Sequence, residues 1–194
     1  VGSAFTKRNT ELNFQNSGTA ARLITGLLST NPDIQVKLNG DKSLRKRNMS
    51  KLISLLSMFG ASFYPKGKKT FPLTLIASEM PVGINFTSGT SAQLKSACIL
   101  AAINSFGTTN IYEKMASRNH TENMIKNNKE VFKIIKNDHL KIYGKKSLEN
   151  FKIQIPNDPS SAAFFAALTL LNEKSTLKIK SVGLNPRRIG FYKT

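Results

Sequence analysis

Small polar residues that open helices, and arginines that follow them at a fixed distance, are the groups in this chain best suited to hold an anion. Ser17-Gly18-Thr19-Ala20-Ala21-Arg22-Leu23 returns about 70 residues later as Ser88-Gly89-Thr90-Ser91-Ala92-Gln93-Leu94, and more weakly as Asp158-Pro159-Ser160-Ser161-Ala162-Ala163-Phe164. Arg47, Arg118 and Arg188 follow the three copies at the same phase. The first N–H groups of a helix lack intrahelical partners and carry the positive end of its dipole. Gly18, which has no Cβ, lets a ligand approach them closely, so Asn16-Ser17-Gly18-Thr19 reads as an anion pocket. Taken alone, the same tetrapeptide also reads as a simple N-cap. Ser91-Ala92-Gln93 opens the corresponding helix of the second copy and offers a hydroxyl and an amide to phosphate, carboxylate or hydroxyl groups. Arginine suits carboxylate and phosphate because its fork makes two parallel hydrogen bonds. A surface salt bridge is the plainer role for Arg47 or Arg118; their matched phase favours a shared ligand.

His120 and His139 have no Cys, Asp or Glu at metal-ligand spacing, so neither a metal site nor a cofactor is expected. No Ser-His-acid arrangement is evident, and His120 reads as a helix-capping residue. Cys98 is the single cysteine, within the apolar run Ala97–Ala102; a core role and a reducing, cytoplasmic compartment fit it.

The elements that must position these groups alternate. Leu12–Phe14 reads as a strand, 18–29 as a helix, Ile34–Leu38 as a strand. A helix is expected over 44–59, with Met49, Leu52, Ile53, Leu55 and Leu56 at helical spacing and Gly60 as its stop. Strands over 61–64 and 73–77 close the unit. The second unit repeats the order: a strand over 83–86, a helix over 90–104, a strand over 108–112, a helix over 121–135, then strands over 140–143 and 151–155. Each unit is therefore βαβαββ. The Pro- and Asn-rich segment 155–159 reads as a domain boundary. A helix over 160–172 and a strand over 176–181 begin a third unit.

Composition is that of a globular α/β chain, 40% apolar and 21% charged, with no apolar run long enough to span a bilayer. The net charge of +18 admits three readings: nucleic acid, unspecific surface charge, or an anionic small substrate steered by the field. Lys66-Gly67-Lys68-Lys69 and Lys126-Asn127-Asn128-Lys129 lack interleaved aromatics for base stacking, which argues against nucleic acid.

Six segments together resemble the enolpyruvyl transferase family, in its shikimate-3-phosphate-using branch. They are Asn16–Leu23, Gly40–Arg47, Ser91–Ala97, Ser117–Glu122, Asp158–Phe165 and Asn185–Phe191, in family order across nearly the whole chain. The resemblance implies two similar domains, each of three βαβαββ units in an inside-out α/β barrel, with the active site in the cleft between them. Residues 1–154 would supply two units of one domain, and 155–194 the start of the other. It implies transfer of the enolpyruvyl group of phosphoenolpyruvate to the 5-hydroxyl of shikimate-3-phosphate, with release of phosphate. By the same resemblance Gly18, Arg47 and Gln93 would contact phosphoenolpyruvate, and Ser91, Ala92, Gln93 and Arg118 shikimate-3-phosphate, with Asn16 and Thr19 in support.

It also implies glyphosate as an inhibitor of the complete enzyme, a monomeric parent, and neither nucleic acid nor membrane as partner. The charge of +18 keeps a nucleic-acid-binding module as the alternative, and the related architecture of RNA-phosphate cyclases adds a little weight to it. Asn48 stands where the family usually has proline, Asn119 where it has aspartate, and Asn157 where it has glycine. The family's N-terminal Lys-Ser…Arg segment, its proton-transferring acidic residues and its C-terminal basic clamp have no counterpart in the chain. An internal fragment, without catalytic residues and inactive alone, is therefore expected.

Overall fold

A computed structural model describes residues 10–136, 138–150 and 152–194. They form two compact units. The first runs to Ser117 and resumes over Thr121–Leu148; the second takes Arg118–His120 and Glu149–Thr194. Among the described residues no helix is long and apolar enough to cross a membrane.

The first unit contains the expected duplication. Its first half is β1 (Thr10–Asn13), α1 (Gly18–Leu28), β2 (Gln35–Asn39), α2 (Lys42–Arg45), α3 (Ser50–Met58), β3 (Ser62–Tyr64) and β4 (Leu73–Ile76). Its second half is β5 (Asn85–Ser88), α4 (Ala92–Ile103), β6 (Thr108–Glu113), α5 (His120–Ile125), β7 (Phe132–Lys136) and β8 (His139–Tyr143). The two sheets have the same topology, β1-β2-β4-β3 and β5-β6-β8-β7. In each, the first pair is parallel and spanned by a helix, and the remaining pairs are antiparallel. The architecture is mixed α/β, built from βαβαββ units.

Local physics explains the helices. Ser17 is extended and its Oγ accepts the Ala20 N–H at 3.1 Å, which starts α1. Gly18, Ala21, Thr25 and Leu28 then recur at three- and four-residue spacing and form the buried stripe. α4 is buried on most sides, from Lys95 to Ala102, as befits a helix apolar nearly all round. α1 and α4 lie against each other, so closely that a Cβ on Gly26 would sit 2.6 Å from the Ala97 carbonyl oxygen. Leu38, Leu56, Leu75, Ile99, Ile111 and Ile142, all wholly buried, belong to one continuous core. Gly60, at φ +95°, ends α3 as its residue type predicts.

Four expectations are corrected. The helix over 44–59 is two helices. After α2 the Lys46 and Arg47 N–H groups fall back on the Ser43 and Leu44 carbonyls, and the Met49 N–H leaves for the Lys69 carbonyl at 2.7 Å. The Asn48 side chain then accepts the Ser50 N–H at 2.8 Å and restarts the helix. The helix over 121–135 stops at Ile125, and its second half becomes β7, paired to β8, because a β-branched and aromatic run fits a sheet edge better. The strand over 151–155 is absent over 152–155, while Phe151 lies outside the described residues; β7 and β8 supply the unit's last two strands instead. No strand forms over 176–181; an isolated bridge joins Asn157 to Val182 nearby.

The repeat also slips in register. α4 is capped by Ser91, not Ser88, which ends β5. The helix openings of the two halves thus match Ser17 to Ser91, three residues later than sequence similarity alone places them.

The second unit holds α6 (Pro159–Leu170), capped by Asp158, whose side chain accepts the Ser160 N–H at 3.1 Å. An apolar cavity of about 760 Å³ lies between α6 and the chain over 177–194.

Candidate functional site

The two helix openings of the first unit meet. Gln93 Nε2, in the first turn of α4, donates to Thr19 Oγ1, in the first turn of α1, at 2.7 Å. Ser91 Oγ accepts the Leu94 N–H at 3.3 Å and so caps α4. Arg47 leaves the non-helical link between α2 and α3, and its Nη2 donates to Asn16 Oδ1 at 2.7 Å. The break that sequence spacing missed therefore has a consequence: it frees Arg47 from a helix surface and turns it to the mouth of α1.

Gly18 is required there. A Cβ at this position would stand 2.5 Å from Arg47 Nη1 and 2.8 Å from Arg22 Nη1. Both guanidinium groups thus crowd one point at the positive end of α1, and Arg22 Nη1 donates to the Gly18 carbonyl at 2.9 Å. No acidic residue lies in the first turn of α1. Burial, and then the charge of Arg47, hold the Arg22 guanidinium below its ordinary pKa. Like charges pressed together at a helix N-terminus favour an incoming anion. Beside them opens a cavity of about 370 Å³ whose lining includes Arg22, Asn48, Ser50, Lys51, Ser91 and Gln93.

Asn16, Gly18, Thr19, Arg47, Ser91, Ala92 and Gln93 are thus gathered within the first unit. Arg118 groups with the second unit, next to Asn119 and His120. There Asn185 Nδ2 donates to Asn119 Oδ1 at 2.9 Å and lies 3.3 Å from His120 Nδ1. Arg188, the third arginine of the series, donates to Asp158 Oδ1 at 2.5 Å and Ser160 Oγ at 3.0 Å. In the first and third copies, then, the arginine reaches back to the helix opening of its own copy.

The description "EPSP synthase (3-phosphoshikimate 1-carboxyvinyltransferase)" belongs to a family whose model matches residues 1–194. The chain belongs to the EPSP synthase family. Among its relatives, the 3-phosphoshikimate 1-carboxyvinyltransferase of Streptococcus uberis is 40% identical over 191 residues, covering 97% of this chain and 44% of that protein. The enzyme of the same name from Leptospira interrogans is 41% identical over 184 residues, covering 94% and 42%. A solved EPSP synthase from Acinetobacter baumannii superposes with a TM-score of 0.79 at 32% identity, over 95% of this chain and 41% of that one. The chain therefore spans less than half the length of the EPSP synthases it matches. These relatives do not favour the nucleic-acid alternative.

Two features of this EPSP synthase family member escaped sequence reasoning. Arg22 belongs to the first motif, and its place one turn after Gly18, on the helix that opens the site, is the signal that points to it. The second is a buried ion cluster. Lys95 has no exposed surface, and its Nζ donates to Glu113 Oε1 at 2.9 Å and pairs with Glu122 Oε1. Burial alone would push the Glu113 carboxyl up. Hydrogen bonds from Lys95 and from the side chain and backbone of Ser117 outweigh it and hold the group below its ordinary value. The period-two alternation Thr109, Ile111, Glu113 along β6 was the available signal: it sets the carboxylate on the same face as Ile111, and all three are buried.

Proposed function

We propose that this chain forms part of an enzyme that transfers the enolpyruvyl group of phosphoenolpyruvate to the 5-hydroxyl of shikimate-3-phosphate, releasing phosphate. The observation that carries it is the pair of guanidinium groups at the Gly18 helix mouth, with no acidic residue in that helix's first turn, bridged by Thr19 and Gln93 to the opening of α4. Both substrates are multiply anionic, and the groups offered to them are helix N–H groups, an amide, hydroxyls and arginines. Gly18, Arg47 and Gln93 are assigned to phosphoenolpyruvate, with Asn16 orienting Arg47 and Thr19 orienting Gln93. Ser91, Ala92 and Gln93 are assigned to shikimate-3-phosphate; Arg118 joins them on the family pattern alone.

The assignment gives the chain substrate-binding residues and no proton-transfer residue. It takes residues 1–154 as two units of one domain and 155–194 as the start of a second. A cytoplasmic location and a monomeric parent complete it, and glyphosate would compete at the phosphoenolpyruvate groups.

Binding is therefore the informative readout. Amide spectra of the chain are followed while phosphoenolpyruvate, and separately shikimate-3-phosphate, is added. Phosphoenolpyruvate is expected to shift Gly18 and Thr19, and shikimate-3-phosphate to shift Ser91 to Gln93. Arg47→Leu removes a charged hydrogen bond of about 1.5–3 kcal/mol and should weaken phosphoenolpyruvate roughly 10- to 100-fold. Absence of shifts at these residues up to millimolar ligand, or equal binding by Arg47→Leu, refutes the assignment.

A further inference from the structure

The buried ions of the first unit are costly and need a reason. Lys95, Glu113 and Glu122 come from three elements, α4, β6 and α5, and their side chains are 0%, 2% and 4% exposed. Two carboxylates face one ammonium, and Glu122 Oε2 is buried without a hydrogen-bond partner among the described residues. Apolar residues of similar volume would fill such a space at least as stably, so the cluster is weak evidence for a stabilising role. An ammonium bridging two carboxylates does provide directional ties that an apolar contact cannot.

What those ties hold is specific. Lys95 lies one turn beyond the Ser91 cap, on the same first turn as Ala92 and Gln93. Glu113 ends β6, and its Oε1 also accepts the Ser117 N–H at 3.1 Å and Oγ–H at 2.8 Å. Glu122 lies in α5, where Thr121 Oγ1 donates to Ser96 Oγ at 2.7 Å. The segment between Glu113 and Glu122 carries Arg118, so one ammonium anchors both ends of that segment to the opening turn of α4. The tie itself lies wholly within the first unit.

We propose that Lys95 is a positioning residue for recognition of shikimate-3-phosphate: through Glu113 and Glu122 it fixes the first turn of α4 and the two ends of the segment that bears Arg118. This rests on the assignment of Ser91, Ala92, Gln93 and Arg118 to that substrate. Lys95 touches no substrate. It would decide whether the groups that do are held ready or must be ordered when the ligand arrives, which lowers affinity.

Lys95→Met alone leaves two uncompensated buried carboxylates and is expected to unfold the unit. The test therefore uses the neutral triple variant Lys95→Met, Glu113→Gln, Glu122→Gln in the full chain. It should retain the sheet amide spectrum, and because Gly18 and Arg47 stand outside the tied turn while only Gln93 stands on it, phosphoenolpyruvate affinity, judged by Gly18 and Thr19 shifts, should fall no more than about threefold. Shikimate-3-phosphate affinity should fall at least tenfold, and the Ser117 amide should exchange at least tenfold faster. A folded triple variant that binds shikimate-3-phosphate like the parent overturns the proposal. So does a parallel loss of both ligands. If the parent chain binds no shikimate-3-phosphate, the substrate assignment has failed, and unchanged Ser117 exchange in the triple variant then overturns the tie as well.

Discussion

Replacing Gly26 by alanine sets two opposed effects against each other at the contact that aligns the two helix openings. On an ordinary helix, Gly→Ala stabilises by about 0.5–1 kcal/mol, because glycine loses more backbone freedom on folding. Here the added Cβ would lie 2.6 Å from the Ala97 oxygen, 2.9 Å from its Cα and 3.1 Å from its carbonyl carbon. All three are main-chain atoms of a helix whose Ala97 is fully buried, so no side chain can swing aside. Restoring ordinary contact asks α1 and α4 to part by more than half an ångström, an overpacking that costs about 2–3 kcal/mol. The net is a loss of about 1–2.5 kcal/mol, or roughly 2–10 °C in Tm for a chain of this length. The same displacement stretches the 2.7 Å bond between Gln93 and Thr19, so ligand-induced shifts at both openings should weaken together. Thermal unfolding by circular dichroism, paired with amide titration, checks both. Gly89→Ala is the control, since nothing among the described residues lies within 4 Å of its added Cβ. A Gly26→Ala chain that melts higher than the parent would refute the close-packing argument.

Acid stability follows from the Glu113 carboxyl, whose folded pKa lies below its unfolded value near 4.3. Its contribution is present at neutral pH and drains away as pH falls through the carboxylate range towards the folded pKa. Glu113→Gln should therefore be less stable at pH 7 and show a shallower loss below about pH 5 in denaturant titrations; identical pH slopes would contradict this. Cys98 is fully buried, and burial pushes its thiol up, so a disulfide reagent should label it only as fast as the first unit opens. Immediate labelling of the folded chain would place the residue outside the core.

Much of the fold was legible because local and global preferences agree. The buried stripe of α1, the serine cap before it and the βαβαββ order are written in spacing and residue type, and the duplication makes each half evidence for the other. The misplaced elements lay where local preference is weak. Residues 121–135 have helical composition at one end and a β-branched run at the other, and only pairing with β8 decides between them. Residues 44–59 keep helical spacing throughout. The break comes from a hydrogen bond to Lys69, which no local pattern encodes.

The same division holds at the site. Sequence by itself determined which groups can hold an anion and which family the chain resembles, because residue type fixes chemistry and repeat phase fixes order along the chain. Tertiary structure alone decided that Arg22 and Arg47 crowd the Gly18 mouth, that Thr19 and Gln93 join the two helix openings, and that Lys95 is buried between two glutamates. Those facts depend on atoms brought together from distant parts of the chain, where packing and charge compete, and no one-dimensional spacing records which wins.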